Sequence, residues 1–182
     1  MKFKIYILVG FIIIISGFIW HKILGYGLGF NVSDSMPLGV YLSYKNTEKI
    51  SNGDIIGFCV SDKTYDLFFV RGYISSKNGS CYNNFPAFIK KVVAKQGDLV
   101  EIKNSKLYVN SIEIKNSTIF DTDIKGRKLE HLQNGYSHVM LRSELFAFGD
   151  NNIRSLDSRY IGLIKKDEIL FKAKMLYKVS GK

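Results

Sequence analysis

The chain is poor in the residues that bend, staple or break a fold. Its 182 residues include two prolines, two cysteines, one tryptophan and three histidines. With 46% apolar residues and so little proline, long disordered tracts are excluded, and the length fits one main domain with its own core. Cys59 and Cys81 form no C-x-x-C pair and join no histidine cluster, so neither a metal nor another cofactor is expected. Serine-hydrolase signatures are missing as well: there is no S-x-x-K and no G-x-S-x-G, the stretch GYSHV at 135–139 lacking its second glycine. His21, His131 and His138 stand in no triad context. The net charge of +10 comes from lysines spread along the chain. Without a dense basic run, zinc-finger spacing or an RNA-binding aromatic motif, no nucleic-acid partner is expected, whereas a basic face toward anionic lipid stays open.

What is present begins with an apolar segment. Lys2 and Lys4 precede a run free of charge from Ile5 to Trp20. Extended to Leu24 it gives about 20 residues, the length that crosses a bilayer. The lysines orient its start toward the cytoplasm, and Trp20, His21 and Lys22 suit the far interface. A signal peptide cleaved near Gly25-Tyr26-Gly27 is the competing expectation. A buried core helix is disfavoured because the run has no polar face. Residues 1–24 are therefore expected to be a cytoplasmic N-terminus and a single transmembrane anchor, with residues 25–182 exported. In an exported domain Cys59 and Cys81 are expected to form a disulfide, two buried free thiols being the alternative.

Beyond Asn31, short runs rich in Val, Ile, Phe and Tyr alternate with Asn, Gly, Ser and Asp turns. DIIGFCV, DLFFVRGYI, FIKKVVA, ELFAFGD and EILFKAKMLY read as strands, and DLVEIKNSKLYVNSIEI reads as three strands joined by two Asn-Ser turns. A mainly antiparallel β domain is expected. Residues 111–140 are polar and poorly periodic, and read as a mobile insertion or long connection.

Two stretches bear on chemistry. In NVSDSMPLGVY (31–41), Pro37 has a fixed φ and pushes Met36 toward extended geometry, while Gly39 permits a tight bend. Ser35 thus sits on a constrained strand-to-turn segment, as a turn residue or as a nucleophile. With no histidine in reach by sequence, a base would have to be a lysine made neutral by burial away from carboxylates. AFIKKVVAKQGD offers Lys90 and Lys91, which face opposite sides of an alternating strand, so at most one points inward.

SDSMPLG (33–39), FIKKVVAKQGDLV (88–100) and FGDNNIRSLDSRYIG (148–162) resemble, in order and spacing, the three boxes of the type I signal peptidases, which are membrane-anchored Ser/Lys endopeptidases. The pattern Asn31, Ser33, Ser35-Met36-Pro37, Gly39 and Tyr41, with RGY at 71–73 between two cysteines, resembles the TraF-type branch that matures conjugative pilin. The resemblance implies a signal-peptidase-like antiparallel β domain with one N-terminal transmembrane helix. It implies Ser35 as nucleophile, Lys90 as general base and Lys91 as the adjacent basic residue. Ser33 would support the oxyanion hole, Ser155 would orient the lysine, and Asp157 and Arg159 would form a structural acid–base pair, with Gly149 and Asp150 shaping the same box. The implied partners are the membrane, an exported pilin-like or leader-bearing precursor and the conjugative transfer apparatus. The implied place is the inner or plasma membrane, the catalytic domain facing the periplasm or extracytoplasmic side. General leader-peptide removal, or a non-catalytic assembly factor of the same fold, are the alternatives. The chain departs from the pattern at Gln96, where the second box has proline, at NNIRS, which shortens the stretch before Ser155, and at Asp34, where a small residue is common.

Overall fold

The computed structural model describes residues 2–23, 25–75 and 77–179. Among the described residues, helix α1 (Lys2–Ile23) is followed by eleven strands and two further α-helices. The strands are β1 (Tyr26–Asn31), β2 (Gly39–Tyr44), β3 (Ile55–Phe58), β4 (Phe88–Ala94), β5 (Leu99–Lys103), β6 (Lys106–Val109), β7 (Ile112–Glu113), β8 (Ser137–Val139), β9 (Glu144–Phe148), β10 (Ile164–Lys165) and β11 (Ile169–Lys178). Helix α2 (Asp62–Val70) lies between β3 and β4, and α3 (Ser158–Ile161) between β9 and β10. A seven-stranded sheet runs β1-β2-β11-β3-β4-β9-β10 and a four-stranded sheet runs β7-β6-β5-β8, with antiparallel pairing throughout. The mainly β antiparallel fold expected from sequence is the fold observed.

Local chemistry explains the second sheet. The β5–β6 turn places Asn104 and Ser105 at φ 51° and 55°, and the β6–β7 turn places Asn110 and Ser111 at 51° and 66°. Both are the left-handed pairs whose twist matches a two-residue hairpin, with asparagine leading because its short side chain tolerates that region. Val100, Ile102, Leu107 and Val109 from this sheet bury against Phe146 and Phe148 of β9 and Ala94 of β4. A second cluster, including Ile56, Val92, Leu145 and Ile164, forms the other side of the large sheet. Strand β4 is thus packed on both faces at the middle of the molecule.

Along α1 the side chains are described from Lys4 to Gly17 and at Ile19. Ile7, Leu8, Phe11 and Ile14 are each more than half exposed. Among the described residues, no helix is long and apolar enough to cross a membrane. The interfacial side chains expected at Trp20, His21 and Lys22, the orienting Lys2 and the end at Leu24 lie outside the described residues.

Three expectations are corrected. DLFFVRGYI is not a strand: residues 62–70 are helical. Ser61 caps the helix by accepting from the Thr64 amide, and Tyr65 and Phe68, one turn apart, form its buried stripe. Residues 111–140 are not a loose insertion, since Ser117, Ile119, Leu129 and Met140 are buried. Asp123 ties the segment together by accepting from Tyr73 Oη, Arg127 Nε and the Lys125 and Arg127 amides. Gly39 serves close approach more than a bend. It begins β2, and a Cβ there would run into the Tyr177 carbonyl of β11.

Candidate active site

The loop between β1 and β2 carries Ser33 and Ser35, and Asn31 shapes it from within. Its buried carboxamide donates to the carbonyls of Ser33, Met36 and Pro37 at 2.9, 2.9 and 3.2 Å. It also accepts from the Ser33 amide at 3.1 Å and hydroxyl at 2.8 Å. Tyr41 Oη donates to the Pro37 carbonyl at 2.7 Å from the adjoining strand. Met36 is buried beneath, so the turn is held on three sides while Ser35 stays half-buried at the surface of a cleft. Asp34 is exposed.

A second loop, 149–157, closes over the first. Asn151 donates through its side chain to the Asp34 carbonyl at 2.9 Å and through its amide to the Ser35 carbonyl at 3.4 Å. Gly149 makes the approach possible, because a Cβ there would overlap Ser155 Oγ and crowd the Ser35 carbonyl.

Beneath this loop Asp157 and Arg159 are both fully buried and pair at 2.8 Å. Asp157 also accepts from the Gly149 amide at 3.1 Å, and caps α3 by accepting from the Arg159 amide. Arg159 spends its remaining donors on the carbonyls of Thr118 at 2.6 Å, Ile153 at 3.4 Å and Ser155 at 3.0 Å. The charged pair is saturated, and through the Ser155 carbonyl it fixes where that residue sits.

Ser155 itself is the opposite case. It is buried, and its hydroxyl has no hydrogen-bond partner among the described residues. Lys90 resembles it. In β4 burial alternates, with Lys90 and Val92 buried and Lys91 half-buried on the other face. Lys90 is 3% exposed, and among the described residues no carboxylate lies within ion-pair distance of it. Its ammonium lies 5.4 Å from the centre of the Phe88 ring. Burial pushes its pKa down to about 8, the Asp157 charge raising it less than burial lowers it and Arg159 adding to the depression. Lys91 instead reaches Asp150 at 2.7 Å, both partly exposed.

Ser33, Ser35, Lys90 and Ser155 line one cleft of about 630 Å³. Asp157 and Arg159 form its buried support, and Cys59 and Cys81, which are not on its lining, are joined as a disulfide. Sequence reasoning gave no role to Asn31, Tyr41 or Asn151, which set the two loops. Asn31 and Tyr41 stood in the quoted pattern, but only their carbonyl partners reveal what they do. Among the described residues no group of His, Cys, Asp or Glu could hold a metal.

The model of the family described as signal peptidase, peptidase S26, matches residues 2–178. A plasmid transfer protein TraF of Escherichia coli is 28% identical over 145 residues, covering 79% of each chain. A conjugal transfer protein TraF of Agrobacterium fabrum is 30% identical over 152 residues, covering 83% of this chain and 82% of that one. A signal peptidase I of Bacillus amyloliquefaciens is 30% identical over 93 residues, half of this chain and 48% of that one. The chain belongs to the peptidase S26 family.

Proposed function

We propose that this member of the signal peptidase family is a membrane-anchored serine endopeptidase that uses Ser35 and Lys90 to process exported precursors, pilin of a conjugative apparatus foremost. One observation carries the mechanism: a lysine buried without a carboxylate shares a cleft with a loop-mounted serine. At pH 7 a group of pKa about 8 is neutral in roughly a tenth of molecules, enough to accept a proton. Neutral Lys90 takes the Ser35 proton as the hydroxyl oxygen attacks the scissile carbonyl. The Ser35 amide and the Ser33 hydroxyl hold the oxyanion, the latter after turning its hydrogen away from Asn31. The protonated lysine returns the proton to the leaving amine, and water or a peptide amine then resolves the acyl-enzyme. Ser155, whose hydroxyl has no partner among the described residues, is free to accept from the lysine ammonium and would aim it.

Helix α1 is the anchor in this proposal. The exposed apolar side chains described along it, Ile7, Leu8, Phe11 and Ile14 among them, would find their solvent in lipid. Lys2 and Lys4 keep its start cytoplasmic and place the cleft, which the chain enters soon after the helix, on the far side near the membrane. The disulfide suits that oxidising compartment. The likeness to the TraF proteins, at four-fifths of their length, favours a pilin-like substrate. The likeness to a signal peptidase I favours general leader removal as the second reading.

Mass spectrometry of a candidate pilin co-expressed with the full chain tests both. A new, defined terminus or a cyclised product that disappears with Ser35→Ala supports pilin maturation. Untouched pilin beside cleaved leader-bearing precursors transfers the proposal to general export. Neither product, from folded protein, overturns the peptidase.

A further inference from the structure

We propose that Arg154 reads a carboxylate of the precursor, an acidic side chain or a chain end, where the precursor lies in the cleft; this rests on the Ser35/Lys90 assignment. Arg154 precedes Ser155 on the 149–157 loop and lines the same cleft as Ser35 and Lys90. The other charges on that lining sit at Asp34 and Lys90. Lys90 must be neutral to accept a proton, whereas a guanidinium keeps its charge at every working pH. Among the described residues, Arg154 is therefore the one cation on the lining that persists when the site is ready to react.

This guanidinium is held in place without being neutralised. Its centre lies 4.1 Å from the centre of the Phe120 ring, and Nη1 donates to the Thr122 carbonyl at 3.3 Å. Phe120 is fixed in turn, its amide donating to Tyr160 Oη at 3.0 Å. The backbone that carries Arg154 is a closed turn. The Arg154 amide donates to Asn152 Oδ1 at 2.8 Å, and the Ser155 amide donates to the Asn152 carbonyl at 2.9 Å. Two carboxylates flank Thr122 in the chain, and both are engaged elsewhere. Asp121 meets His131 Nε2 at 2.9 Å, and Asp123 accepts from Tyr73, Arg127 and two amides. Among the described residues no carboxylate pairs with Arg154. Arg159 shows the opposite arrangement, its donors taken up by Asp157 and by backbone carbonyls.

The chemistry of the free donors names the ligand. A guanidinium carries its N–H groups in a planar fork, and the side chain of Arg154 gives a single bond to protein, through Nη1. The remaining fork matches two oxygens side by side, as a carboxylate presents them. On an unmodified peptide only Asp, Glu and the C-terminus offer that geometry with a full charge. The Phe120 stack already restrains the side chain, so little freedom is left to lose when a carboxylate docks.

The test uses the full chain in detergent carrying Ser35→Ala, so that recognition is read as binding, apart from cleavage. One set of fluorescent ten-residue Ala/Ser peptides bears a Glu or a Gln at successive positions and ends in an amide. A second set has no acidic side chain and ends in a free acid or an amide. Affinity is read by anisotropy at low and high salt. Glu at one position, or the free acid, is expected to bind about 10-fold tighter than its neutral counterpart at low salt and by less at high salt. A preference in the first set assigns the carboxylate to a side chain, and one in the second assigns it to a chain end. Arg154→Gln is expected to erase the preference and Arg154→Lys to keep part of it, the neutral peptides binding each folded variant alike. Lys125→Gln removes an exposed cation from the adjoining hairpin, where Thr122 and Lys128 pair, and is expected to leave the preference in place. Equal or undetectable binding of charged and neutral peptides in both sets overturns the assignment. So does a preference that survives Arg154→Gln, or one that Lys125→Gln erases as fully, which would trace it to the net charge of the chain. Cleavage of precursor by the Ser35→Ala chain would overturn the nucleophile alone and leave the peptide ranking standing.

Discussion

The cleft surface and the layer beneath it treat buried polarity in opposite ways. Below, Arg159 and Asp157 are fully buried, and every donor and acceptor is matched by the other or by backbone. At the surface, Lys90 has burial without a carboxylate, and Ser155 has a buried hydroxyl without a partner. A saturated charge in a dry site has nothing left to offer a substrate. An unsaturated one raises the energy of the resting state and is ready to exchange a proton. On the 149–157 loop the two cases lie two residues apart, at Ser155 and Asp157.

The hardest way to break this contrast is to remove the reacting pair. Ser35→Ala and Lys90→Arg are each expected to lower precursor cleavage by about 10³-fold or more, and the double variant by little beyond either, because the two groups act in one step. Arginine fails because its guanidinium stays charged. With neutral Lys90 as the proposed base, cleavage is expected to rise with pH and to reach half its plateau near the Lys90 value of about 8. A flat profile from pH 6 to 10 with chemistry rate-limiting would remove the lysine from the mechanism.

Breaking the saturated layer should act on folding instead. Asp157→Ala leaves Arg159 charged and unpaired in a site with no solvent, a loss of about 3–5 kcal/mol. It also frees the Gly149 amide, so Ser155 loses its mount. Denaturant unfolding of the variant is expected to show that loss, and a midpoint equal to wild type would contradict the role of the pair.

Much of this contrast was legible before any coordinates, and the reasons are local. Alternation alone predicts that Lys90 and Lys91 face apart, and the two Asn-Ser pairs announce the hairpins because few residues tolerate their backbone angles. Helix α2 is hidden in the sequence because YDLFFV carries apolar residues compatible with either period, and Ser61 as a cap is visible only once the helix is known. The packing of residues 111–140 left no periodic trace: it depends on scattered single side chains and on Asp123, whose partners come from 73 as well as from 125 and 127. That the Ser155 hydroxyl lacks a partner among the described residues follows from how the 149–157 loop packs, and has no sequence signal at all.

A gentler test asks what the resting state gives up. The folded Lys90 has a pKa near 8 against about 10.5 for a free lysine. Below pH 8 it is charged in both folded and unfolded chains, and the folded state carries the full desolvation penalty. Between pH 8 and about 10.5 the folded chain releases its proton while the unfolded chain keeps it, so stability rises with pH; above that range the penalty is gone. Lys90→Met is therefore expected to stabilise by on the order of 1–3 kcal/mol at pH 7, with the gain fading toward pH 10.5, while cleavage is lost. A destabilised Met variant at pH 7 would mean that the ammonium is held by partners after all.

The smallest effect belongs to the neighbouring lysine, and it is the sharpest control. Lys91 lies one residue along the same strand, but its ammonium meets Asp150 at 2.7 Å with the two side chains 41% and 38% exposed. Water already screens both charges, and such pairs contribute about 0–1 kcal/mol. Lys91→Ala should shift the unfolding midpoint by no more than that, and added salt should shrink the difference further. Cleavage should stay within a few-fold of wild type, because the side chain points to the strand face away from Ser35. The pH midpoint should stay put, since neither Lys91 nor Asp150 is among the charges that set the Lys90 value. If Lys91→Ala instead abolished cleavage while Lys90→Ala did not, the two faces of β4 would have exchanged roles, and burial would no longer mark the reacting lysine.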